Sequence, residues 1–397
     1  MKRLLVIPCS VLVLLLVASC RGGQGQAVSY DRICYRPVYA GGFDVVGIDG
    51  YESHILRVKL PWQGADSVAM EVFISRGGEA PPQSFRGKTI KSGQCRIAAM
   101  SSSYVGMLAS IGALDCIVAI SGLDFVNTPG IVSRRSDILE TGPDSSPDYE
   151  GLLAAGVDVV LLYGIASENP MTKRLDVLGI PYIYIGEYLE ASPLGRAEWI
   201  VALSEIAGCP EEGRAVFNAI AERYNAIRSR LSAVSFRPKV MLNVPYGDSW
   251  FMASSGGIMS SLISDAGGDY VYREDNGNRT VAIGMEQAFL LAGEADFWLD
   301  TGAFSSLQHL KSSLPAFASV RCVADGKVYN NDRRVNSSGG NDFWESAPAM
   351  PDVLLNDLAL ILHPEVLASR PDAGDSSRLC TAAMELADSL YFYRKLQ

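Results

Sequence analysis

The sequence is poor in the residues that metal and nucleophile chemistry most often use. It has three histidines, His54, His309 and His363, in 397 residues, too few and too dispersed for a multi-histidine metal site. Its eight cysteines include no CxxC pair, so neither a zinc ribbon nor thioredoxin-type chemistry is supported. Positive charge is short as well. With 34 Lys and Arg against 44 Asp and Glu, the net charge is -10. A surface that acidic repels phosphate backbones, which argues against nucleic acid as a partner; it suits docking onto a basic surface. There is no Walker A sequence and no strand-linked Gly-x-Gly-x-x-Gly. Ser101-Ser102-Ser103 lacks the Gly-x-Ser-x-Gly of a nucleophile elbow, and no histidine falls in a recognisable Ser/His/Asp order. No catalytic residue, metal ligand or cofactor is assigned.

What is present begins with ample apolar material. Hydrophobic residues make up 48% and charged residues 20%, which excludes global disorder. The length suits two domains of roughly 100–200 residues each. Lys2 and Arg3 precede an apolar run over 4–17. That is about 14 residues, short of the roughly 20 a membrane span needs, and it fits a signal-peptide core. No second apolar run reaches spanning length. Val17-Ala18-Ser19-Cys20 resembles the bacterial lipobox, whose cysteine is acylated and becomes the first mature residue, with Val17 where Leu is more usual. The expectation is a signal peptide over 1–19, a lipidated tether over 20–37 starting at Cys20, and a periplasmic protein anchored to a cell-envelope membrane. An ordinary secretory signal with an incidental cysteine is the competing reading. Of the remaining cysteines, Cys34, Cys95, Cys116, Cys209, Cys322 and Cys380 could form disulfides or stay as buried free thiols.

Organisation changes along the chain. Short extended runs at 43–48, 51–60 and 68–74 predict two or three antiparallel strands, with Asp49-Gly50 as a hairpin turn. From residue 96 the pattern alternates strand and helix. Nearly continuous apolar runs such as 157–163 imply a parallel sheet covered on both faces. This gives a first α/β lobe over 38–192. Residues 193–231 read as a connecting helical region, interrupted at Gly208-Cys209-Pro210. A second strand–helix series follows, assigning 232–397 to a C-terminal α/β lobe. The fold class is α/β: two Rossmann-like lobes joined by a long helix, with a few extra N-terminal antiparallel strands. No sequence repeat is visible.

In open α/β sheets, ligands bind beyond the carboxyl ends of the strands. The loops expected there carry Tyr163, Tyr246, Trp250, Phe304 and Trp344, which offer flat contact area, and Arg333 and Arg334, which offer forked donors to oxyanions. The competing reading is that these aromatics cap the lobe cores.

Local patterns then bear a family resemblance. Pro147-Asp148-Tyr149-Glu150-Gly151-Leu152-Leu153 precedes Gly156-Val157-Asp158-Val159-Val160, and Ile283-Gly284-Met285-Glu286-Gln287 precedes Ala295-Asp296-Phe297-Trp298-Leu299. Together with the lipid signal and the segment from Gly339-Gly340-Asn341 to His363-Pro364-Glu365, these resemble the helical-hinge periplasmic binding proteins of ABC importers over about residues 95–366. Val157 stands where the family usually has Pro. The resemblance implies a receptor that hands a ferric siderophore, haem or vitamin B12 to a permease. It further implies that Glu150 and Glu286 dock onto permease arginines. Physically, a carboxylate on each lobe lets a partner sense lobe spacing through bidentate Arg pairs; both could instead be solvated helix-start glutamates. Two other functions compete: an exported two-lobed hydrolase, and capture of a bare divalent metal ion.

Overall fold

Alternating apolar residues build the first sheet of the computed structural model, which describes residues 30–65, 70–93, 95–164, 169–274, 279–302, 304–368 and 389–397. The signal peptide, Cys20 and Cys380 lie outside the described residues. Strands β1 (Arg32–Tyr35), β2 (Phe43–Gly47), β3 (His54–Val58) and β4 (Met70–Ser75) form an antiparallel meander, and β5 (Lys88–Lys91) joins β4 in parallel. Phe43 and Val45 of β2 face the main core while Val46 faces a smaller cluster with Tyr30, Ile55 and Phe73, the period-2 pattern of a strand. Asp49-Gly50 makes the expected turn: Gly50 takes φ 82°, and the Tyr51 N–H reaches the Ile48 carbonyl at 3.2 Å. One expectation needs correction. β1 falls inside the stretch read as a tether, because Tyr35 stacks on Phe43 and Tyr30 is buried.

The parallel sheet of the first lobe contains β6 (Ile97–Ala99), β7 (Ile117–Ile120), β8 (Leu139–Glu140), β9 (Val159–Leu162) and β10 (Tyr182–Tyr184) in the order β10-β9-β6-β7-β8. Every residue of β9 is buried, as its continuous apolar run requires. In the second lobe, β11 (Lys239–Leu242) is followed by the hairpin of β12 (Pro245–Tyr246) and β13 (Ser249–Met252), then by β14 (Asp269–Tyr270), β15 (Val281–Gly284), β16 (Phe297–Leu299), β17 (Tyr329–Asn330) and the C-terminal β18 (Arg394–Lys395). Strands β14-β11-β16 pair in parallel, β12-β13-β15 pair antiparallel, and β17 pairs with β18.

The connecting helical region breaks at Gly208-Cys209, where its sequence interrupts, into two helices. Pro193–Ala207 buries every residue except Arg196, and after Gly208-Cys209 the 22-residue helix Pro210–Leu231 packs beside it and runs on toward β11. At 1.5 Å per residue the second helix is about 33 Å long. Three buried glutamates in and before the first helix fasten the N-terminal sheet. Glu198 accepts the Tyr35 hydroxyl at 2.7 Å and the Val38, Tyr39 and Ala40 N–H groups at 2.8, 2.7 and 2.7 Å. Glu190 accepts from the Gly41 and Gly42 N–H groups and from the Trp199 indole. Glu205 meets His54, Arg76 and Arg214. Buried carboxylates persist when each oxygen is this well paired.

The assignment of all of 232–397 to the second lobe also needs correction, because residues 334–350 cross back onto the first. Fully buried Glu345 accepts the Asn127 and Thr128 N–H groups at 2.6 and 2.9 Å. Asn336 donates to the Asp124 and Val126 carbonyls at 3.0 and 3.2 Å. The backbones touch here: a Cβ on Gly106 would sit 2.1 Å from the Glu345 carbonyl oxygen, and one on Gly340 would sit 2.0 Å from that of Phe125. Only glycine permits such an approach.

Among the described residues, Cys34, Cys95, Cys116, Cys209 and Cys322 are free thiols. Burial pushes Cys95 up to about 12 and Cys209 and Cys322 up to about 11, so these are packed thiols rather than reactive ones. No helix among the described residues is long and apolar enough to cross a membrane.

Candidate functional site

The parallel strands of both lobes end at one cleft. Its main cavity, about 870 Å³, takes Ser102 and Phe125 from the first lobe, Arg196 from the connecting helix, Asn243, Met259 and Asp300 from the second lobe, and Trp344 from the crossing segment. A neighbouring cavity of about 380 Å³ is lined by Ser101–Tyr104, Tyr163, Glu187 and Tyr188, and it shares Ser102, Arg196 and Trp344 with the first. The two are compartments of one site, with Arg196 and Trp344 on their common wall. Ser101, Tyr163 and Glu187 follow β6, β9 and β10, while Asn243 and Asp300 follow β11 and β16. This is the strand-end position where α/β sheets bind ligands.

The electrostatics differ between the two walls. On the first-lobe side, the Arg196 Nε of the connecting helix donates to Glu187 Oε2 at 2.7 Å, and Ser103 donates to Glu187 Oε1 at 2.7 Å. On the second, Asn243 and Asp300 are the non-glycine residues with positive φ, 66° and 58°, among those described. They follow directly the paired residues Leu242 and Leu299. Asn and Asp tolerate this left-handed backbone better than other side chains do. The Asp300 Oδ1 accepts the Tyr393 hydroxyl at 2.8 Å, and burial pushes its carboxyl up to about 6. Nearby Asp332 is held at both oxygens by Arg394, at 2.6 and 2.7 Å.

The structure brings together two of the seven predicted contact residues. Trp344 is 60% exposed and lines both compartments, and half-buried Tyr163 lines the smaller one. Trp250 is fully buried. Its ring packs on Trp298 and Phe317, and its indole N–H donates to the Leu242 carbonyl at 2.9 Å, so it belongs to the core of the second lobe. Tyr246 is 82% exposed on the β12–β13 hairpin, because Gly247-Asp248 turns the chain back instead of leaving a loop at the cleft. Phe304 packs edge-on against His309. Arg334 pairs with Asp342 and lies over the Tyr391 ring, and Arg333 is exposed outside the lining. The cleft cation is therefore Arg196. Its signal in the sequence was a lone charge inside an otherwise apolar turn, Leu194-Gly195-Arg196-Ala197.

Glu150 and Glu286 are exposed in the first turns of Tyr149–Ala154 and Met285–Glu294. The matching motifs behind them do the same structural job in each lobe. Asp158 accepts the Arg96 N–H and Asp296 accepts the Lys239 N–H, both at 2.8 Å, clipping the start of the central strand. Histidine takes no part in the cleft: His54 bonds Glu205, His309 packs on Phe304, and His363 ends the Pro351–Leu362 helix against the Gly267 carbonyl. The serines at 101–103 thus meet Glu187 and no imidazole. Among the described residues no group of three or more His, Cys, Asp or Glu is arranged to hold a metal ion.

Residues 97–335 match the family model described as "Periplasmic binding protein". An uncharacterised lipoprotein of Methanocaldococcus jannaschii is 24% identical over 236 residues, 59% of this chain and 54% of the relative. The chain thus spans about half the length of that relative. Among solved structures, a periplasmic binding protein from Veillonella parvula superposes with a TM-score of 0.55 at 14% identity, covering 75% of this chain and 96% of that one. A periplasmic heme binding protein from Pseudomonas aeruginosa does so with a TM-score of 0.51 at 16% identity, covering 68% and 93%.

Proposed function

Because this chain belongs to the periplasmic binding protein family, we propose that it is the lipid-anchored receptor of an ABC importer, delivering an iron complex or corrinoid to the permease. As a member of that family it is a substrate-binding protein rather than an enzyme. The observation that carries the ligand reading is the two-compartment cleft. Its main cavity of about 870 Å³ lies within the range of small-molecule sites, roughly 300–1,000 Å³. Trp344 presents a flat face to both compartments and Tyr163 one to the smaller, which provides contact area without ordering many rotamers.

The test is a fluorescence titration of the purified mature protein with ferric siderophores, haem and cobalamin. One of these should give a saturable response, and Trp344→Ala should weaken that binding by roughly 1–3 kcal/mol. No response to any of them, with tight uptake of a free metal ion or a sugar, would sink the reading.

The anchor is part of the same proposal. Lipoprotein is the description given to the M. jannaschii relative, and Cys20 follows the lipobox-like Val17-Ala18-Ser19. Several acyl chains at about 0.8 kcal/mol per buried methylene hold a protein firmly to a membrane. Cys20→Ala should move the protein to the soluble fraction or block its processing. Full membrane retention with normal processing would contradict the assignment.

A further inference from the structure

Among the described residues, the charged groups that line the cleft are paired within the protein, with one exception. Arg196 and Glu187 neutralise each other, and Arg394 grips Asp332. Asp300 has only the neutral phenol of Tyr393, and no ion pair reaches it among the described residues. The carboxyl is nevertheless held in place. Tyr393 is fully buried, and Asp357 fixes its segment by accepting the Tyr391, Phe392 and Tyr393 N–H groups at 2.7, 2.7 and 3.1 Å.

Asp300 is half-buried, and a partly desolvated carboxylate without a counter-charge is unfavourable; proteins pair such groups or give them a cation. Here the side chain lines an open cavity, so the missing partner can arrive with the ligand. We infer that the ligand presents a protonated amine to Asp300 on the second-lobe wall, and that the cleft selects an ammonium-bearing chelate over a polyanionic one. The rest of that wall agrees. Around Asp300 it offers the amides of Asn243, Asn331 and Asn341 and, among the described residues, no Lys or Arg side chain in the lining. A ligand edge bearing carboxylates or catecholates would therefore meet like charge and no cation, which costs affinity and specificity.

The inference rests on the receptor reading above, and the experiment separates the two. A linear ferric trihydroxamate with a free terminal amine is compared with the same chelate N-acetylated, by titration of wild-type protein and of Asp300→Asn. Haem and cyanocobalamin are run alongside. The free-amine chelate should bind at least about tenfold more tightly than its acetylated twin, and in Asp300→Asn that ratio should fall to about twofold or less. The wild-type ratio stands as a test even if the variant fails to fold. Equal binding of the two chelates, or a preference that survives Asp300→Asn, overturns the amine subsite and leaves the receptor reading intact. Saturation by haem or cobalamin with neither hydroxamate bound does the same. No binding of any of the four overturns both.

Discussion

Glu198→Ala should lower the stability of the protein by about 3–5 kcal/mol, the loss expected when four buried neutral donors are deprived of their shared acceptor. The carboxylate is fully buried and accepts from the Tyr35 hydroxyl and three consecutive N–H groups, those of Val38, Tyr39 and Ala40. Truncation leaves four donors without an acceptor, each costing roughly 1–3 kcal/mol where water cannot replace it. Part of the loss is offset, because the anion no longer has to be desolvated. Glu198→Gln should cost less, since its carbonyl oxygen still accepts while its amide turns a donor toward donors. The loss should begin at the N-terminal sheet, which hangs from this contact. In urea unfolding the midpoint should fall, and hydrogen exchange should show amides 38–40 losing protection before those of β9. A variant with a wild-type midpoint would show that the carboxylate is a bystander.

Charge reversal of the two lobe-surface glutamates should abolish transport without touching ligand binding. Glu150 and Glu286 each stand exposed in the first turn of a helix, one per lobe, outside the lining of both cleft compartments. A helix start favours a carboxylate there, but that effect alone predicts only a small stability change on reversal. Docking predicts much more, because an Arg facing an Arg replaces a bidentate pair with repulsion. For Glu150→Arg/Glu286→Arg, uptake of labelled ligand by cells should fall at least about tenfold, while the Kd of the purified protein stays within about twofold. Normal uptake by the double variant would remove both residues from the docking surface.

The strands and helices were legible because their cause is local. A buried parallel strand such as β9 must be apolar throughout, and the Asp49-Gly50 turn needs a residue that accepts positive φ. The positions of Glu150 and Glu286 were legible for the same reason, as both sit at helix starts beside recognisable motifs. The cleft was less so. Trp250 and Trp344 are the same residue type in similar polar surroundings, and only the β12–β13 hairpin, a tertiary pairing with β15, turns the first into the core. Arg196 was missed because its helix is buried on every other face, so the cation that matters lies in the element that looks least like a site. Asp300 has nothing local to mark it at the end of its strand, and the residue that holds its carboxyl, Tyr393, lies 93 residues further on. β1 was hidden for a similar reason: its partner β2 and its anchor Glu198 supply what its own four residues do not.

The segment that returns to the first lobe makes the two halves of the molecule inseparable as pieces of chain. A fragment ending near residue 333 would expose the slot along Ser102–Ser110 that residues 342–349 fill, and it would leave the Asn127 and Thr128 amides without the Glu345 carboxylate. The remaining fragment would carry that peg with nothing to enter. The lobes are thus not modules that recombination could trade between relatives one at a time. An exchange of the first lobe that preserved the fold would have to carry residues 334–350 with it, and drift at Gly106 would be limited by the distant Glu345 backbone that it touches.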